Sequence, residues 1–90
     1  MPEKSIYVAE VVVVFTALAK IKEESLRAIA VQEAGKCMLK IYRNQLSRSA
    51  VLIAVKEMAN NIIRCSLSDI TKEDEEQLKN IMEFIVSNFS

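Results

Sequence analysis

Histidine is absent from all 90 residues, and with it go the commonest general base and the commonest metal ligand. No serine or cysteine can be joined to the imidazole that most nucleophilic triads use. Carboxylate metal sites in helical bundles normally draw on Glu-x-x-His, which cannot occur here. The paired acids Glu23/Glu24 and Glu75/Glu76 would point about 100° apart on a helix. A single glycine cannot build a phosphate-cradling loop. These absences predict a protein that is not an enzyme and uses no metal and no cofactor.

Turn residues are as scarce as histidine. The chain has one Gly and one Pro, where usual contents are about 7% and 5%. A sheet needs glycine-bearing turns at its hairpins. The expected fold class is therefore all-α, a compact bundle of three or four helices forming one domain over residues 1–90. A chain this short buries only roughly 60–65% of its unfolded surface, so completion of the bundle by homo-oligomerisation is part of that expectation.

Cys37 and Cys65 form no CxxC pair. Both lie on or beside apolar stripes, so both are expected as buried core fillers, free thiols in a reducing, cytoplasmic setting. No stretch is apolar enough for a membrane span. Ile6 to Ala19 is broken by Glu10 and falls short of the about 20 residues a span needs. Lys4, the apolar run and Ala17-Leu18-Ala19 imitate a secretory leader, but Glu3 and Glu10 argue against one.

What the chain does have is helical periodicity. Helices are expected at about 3–20, 24–43, 49–65 and 72–88, and the first two have little punctuation between them and can fuse. Ser25 is the candidate cap for the second. Leu26, Ile29, Ala30, Ala34, Cys37, Met38 and Ile41 recur at three- and four-residue spacings. RNQLSRS, residues 43–49, reads as a turn although no Gly or Pro enforces it. Val51, Leu52, Val55, Met58, Ala59, Ile62 and Ile63 form the next stripe. Thr71 followed by Asp74 resembles a capping box, and Glu73, Asp74 and Glu75 suit the positive end of a helix dipole. Leu78, Ile81, Met82, Ile85 and Phe89 complete the last helix.

The stretch YVAEVVVVFTALAK, residues 7–20, is the most informative. Four consecutive valines also suit a strand, which would have to pair with a second chain. As a helix, the stretch places Tyr7, Val11, Val14, Phe15, Leu18 and Ile21 on a core face, with Glu10, Ala17 and Lys20 on the water side. Successive valines sweep about 300° of a helix, more than one core face covers. Either this helix is central in the bundle or its second face meets another subunit. Ile6, Ala9, Val12 and Val13 are the candidate oligomer interface, and a homodimer is the simplest closed form. A non-catalytic module that self-associates and binds a protein partner through apolar helix faces is the expected function.

Twelve bases balance twelve acids, but unevenly. Residues 36–68 hold six bases against one acid, residues 69–90 two against six, and residues 1–35 four against five. Lys36, Lys40 and Arg43 share a helix face, and Arg48 follows. The alternative function is a small nucleic-acid-binding or regulatory protein using this basic stripe. The plainer reading is a solvated face, or one complementing the acidic start of the last helix.

Overall fold

The structure, a computed structural model, describes the backbone of residues 2–66 and 70–90, and the side chains of those from Val8 onward. Four helices follow one another: α1 Pro2–Leu18, α2 Glu24–Asn44, α3 Arg48–Ser66 and α4 Lys72–Ser87. No strand occurs among the described residues, so the strand reading of the valine stretch is overturned. Each helix packs on its neighbour in the chain, and α4 closes back on α1. The connections from α1 to α2 and from α2 to α3 are short, which makes those neighbours antiparallel. The start of α4 lies against the end of α1. The result is a four-helix bundle of 43 × 19 × 18 Å.

α1 and α2 do not fuse. The chain leaves the helix after Leu18 so that Ile21 can turn into the core, where it is almost wholly buried. α2 then starts on Glu23, whose carboxylate accepts from Ser25 N–H at 3.2 Å and Leu26 N–H at 2.8 Å. Ser25 is not the cap. Glutamate lies outside the usual capping residues, so sequence preference alone points to the wrong position. The connection is tied down from two sides. Gln77 of α4 accepts from Lys22 N–H at 3.2 Å and donates to Lys20 C=O at 3.1 Å. Arg27 donates to Ile21 C=O at 2.9 Å.

The expected turn after α2 is present. Gln45 adopts the left-handed conformation (φ 47°, ψ 53°), and its N–H returns to Ile41 C=O. Ser47 then accepts from Ala50 N–H at 3.4 Å at the start of α3. Thr71 caps α4 as expected, accepting from Asp74 N–H at 3.1 Å.

The core runs the length of the bundle. Val14, Leu18 and Ile21 meet Leu26, Met38 and Ile41 of α2, Val55, Met58 and Ile62 of α3, and Leu78, Met82 and Ile85 of α4. Burying each large aliphatic side chain contributes roughly 1.5–3 kcal/mol. Ala30, Ala34 and Ala59 are buried among them, and such small side chains let helices approach closely. Ala17, expected on the water side, is buried too, because α4 closes over the flank of α1 on which it sits.

Candidate docking surface

α1 splits into two halves. Val14, Ala17 and Leu18 are buried in its second half. From Val8 to Val13 no side chain is fully buried. Val11 and Phe15, expected in the core, are partly buried against it, and Tyr7 lies outside the described side chains. Glu10 is half-buried. α1 is not central in the bundle. It touches α2 and α4, as any corner helix touches two neighbours, and among its described residues Val8, Ala9, Val12 and Thr16 are exposed.

The four candidate interface residues fall unevenly on this surface. Ala9 is exposed, Val12 is 60% exposed and Val13 is half-buried. Ile6 lies outside the described side chains. Val8, one turn before Val12, is 55% exposed and extends the apolar surface.

A second apolar surface, which the core periodicity conceals, runs along α2. Val31, Leu39 and Tyr42 are large hydrophobic side chains exposed to solvent. With Ala28 and Gly35 they follow three- and four-residue spacings and occupy roughly a quarter of the helix circumference. A Cβ added at Gly35 would meet nothing within 4 Å. No packing among the described residues therefore calls for a glycine there. The signal was present in the sequence as a second stripe, offset from that of Leu26, Ala30, Ala34 and Ile41.

The basic residues lie on the other shoulder of α2. Lys36 and Lys40 line a shallow groove between α2 and α3 that Glu33, Glu57 and Asn61 also line. Lys36 is paired with Glu33 at 3.3 Å. Arg43 and Arg48 are exposed at the far end. Two carboxylates thus interrupt the stripe that the sequence presents as purely basic. The acidic start of α4 does not neutralise it either, because α2 and α4 sit at opposite corners without touching. Those acids serve their own helix instead, at its N-terminus and, for Glu75, beside Lys79 at 3.9 Å.

The two cysteines part company. Cys37 is buried at the bottom of this groove, its Sγ 3.7 Å from Ala54 C=O. Burial pushes its thiol pKa up; Lys40 opposes that shift and Glu57 adds to it. Cys65 is exposed and is no core filler. It stands in the last turn of α3, two turns beyond the buried Met58, so its exposure belongs to the helix end and not to a solvent-facing stripe. Among the described residues no group of acids and thiols is arranged to hold a metal ion. Among them, too, no helix is long and apolar enough to cross a membrane.

Comparison with protein-family models, with curated proteins and with solved structures gives no match. The class rests on the fold alone: an all-α four-helix bundle.

Proposed function

We propose that the chain is a non-catalytic helical interaction module that self-associates as a homodimer and docks a protein partner through apolar helix faces. The observation that carries this reading is the valine half of α1, apolar in sequence yet without a fully buried side chain from Val8 to Val13. Exposed side chains at Val8 and Val12, with Ala9 between them, make an apolar surface that a small bundle gains by covering. A two-fold contact covers it with the same surface of a second copy. The nucleic-acid alternative is the weaker one, because Glu33 and Glu57 share the groove of Lys36 and Lys40.

Val12→Glu tests the reading better than a change at Val13, which is half-buried and bears on folding as well. Light scattering at tens of micromolar should give twice the chain mass for the unmutated protein. The Val12→Glu protein should give the monomer mass and still melt cooperatively, at a temperature lowered only by the loss of the dimer. Val14→Glu places a charge at a fully buried position and should abolish folding. A monomer for the unmutated chain would overturn the proposal.

A further inference from the structure

We propose that the dimer contact is centred on Gly35, with α2 of one copy lying antiparallel on α2 of a second. The inference rests on the self-association proposed above and assigns its surface. The stripe on α2 is symmetric about Gly35. One turn to either side stand Val31 and Leu39, and two turns to either side stand Ala28 and Tyr42. The larger member of each pair lies towards the C-terminal end. A parallel pairing would set Tyr42 on Tyr42 and leave a gap at Ala28. The antiparallel two-fold sets Tyr42 over Ala28 and Leu39 over Val31, with bulk facing its smaller counterpart at every level. Gly35 meets its own copy at the axis.

That placement explains the glycine. Among the described residues nothing lies where a Cβ of Gly35 would go, and a helix interior disfavours glycine relative to alanine. Its one structural merit is that a second backbone can come close, which is what the crossing point of two helices requires.

Charge agrees with the same arrangement. The first turn of α2 carries Glu24 and its last turn Arg43, both exposed. Arg27, the base near the acidic end, is held to Ile21 C=O of its own chain. Reversal by the two-fold brings the acidic start of each α2 to the basic end of the other, and it opposes their dipoles. A standard contact takes about 800 Å² from each partner, more than one helical stripe presents. The neighbouring helix α1, with Val8 and Val12, supplies further apolar surface on the same side. The groove with α3 lies on the opposite shoulder of α2.

Symmetry makes the test direct, since only residue 35 meets itself. With Cys37→Ala and Cys65→Ser removing the native thiols, Gly35→Cys should convert to a covalent dimer under mild oxidation. Lys56→Cys, exposed on α3, should not. Gly35→Met should still fold, because no described residue lies where its side chain goes, while raising the dimer Kd at least tenfold. Suppose the native chain is a dimer, yet Gly35→Cys cross-links no better than Lys56→Cys and Gly35→Met leaves Kd unchanged. The dimer then uses another face: this inference falls and the interaction-module reading stands. A native chain that is monomeric overturns both.

Discussion

The two thiols show how far a residue's fate depends on a neighbour it cannot be read from. Cys37 and Cys65 both sit near apolar positions at helical spacing, yet one faces α3 and the other faces water. Reactivity should follow. Thiolate is the reacting species, and Cys37 is both shielded and held protonated by burial. A maleimide reagent at about pH 8 should modify one thiol per folded chain quickly and the second only on unfolding, with Cys65 the fast site. Equal rates would contradict the burial of Cys37. The raised thiol pKa also has a sign. The folded chain keeps this proton where the unfolded chain loses it, so the contribution to stability is complete below the unfolded value of about 8.5. It is lost as pH rises from there through the folded value. Cys37→Ala should therefore flatten the alkaline fall in melting temperature.

At the scale of the element, ends are harder to read than faces. The stripes of α2, α3 and α4 follow the expected spacing, and Thr71 caps α4 as its sequence suggests. α2 starts at residue 24 as expected, but its cap is Glu23 and not Ser25, because a buried Ile21 dictates where the chain turns. The end of α2 is held by Gln45 in a conformation that costs a side-chain-bearing residue roughly 1–2 kcal/mol. Gln45→Gly should recover about 1 kcal/mol of that cost. Urea unfolding of the two proteins checks it, and a less stable glycine variant would mean that the Gln45 side chain makes contributions beyond its backbone.

For the whole molecule, the decisive feature is which helices are neighbours. α4 closes on α1, and Gln77 ties the connection between α1 and α2 by two hydrogen bonds across the bundle. Each is solvent-exposed and contributes on the order of 0.5–1 kcal/mol. Gln77→Ala should therefore lower stability by about 1 kcal/mol and speed amide exchange at Lys22 selectively. Protection at Lys22 equal to that of the native chain would show that the clamp is idle in solution. The same neighbour relations leave the valine half of α1 and the Gly35 stripe of α2 uncovered, and they put the acidic start of α4 out of reach of Lys36, Lys40 and Arg43.

All-helical architecture and most of the core were written in the sequence, while the break between α1 and α2, and with it the count of helices, was not. Periodicity and the scarcity of Gly and Pro are local properties, and a helix obeys them wherever it lies. The candidate site was legible only in part. Val12 and Ala9 were readable because four valines in a row overfill one helix face. Ala28, Val31, Leu39 and Tyr42 were not, because a second apolar stripe on α2 looks the same in sequence whether another helix covers it or water does. Only the tertiary arrangement decides that, by placing α1 and α3 at the corners beside α2 and leaving Val31, Leu39 and Tyr42 uncovered among the described residues.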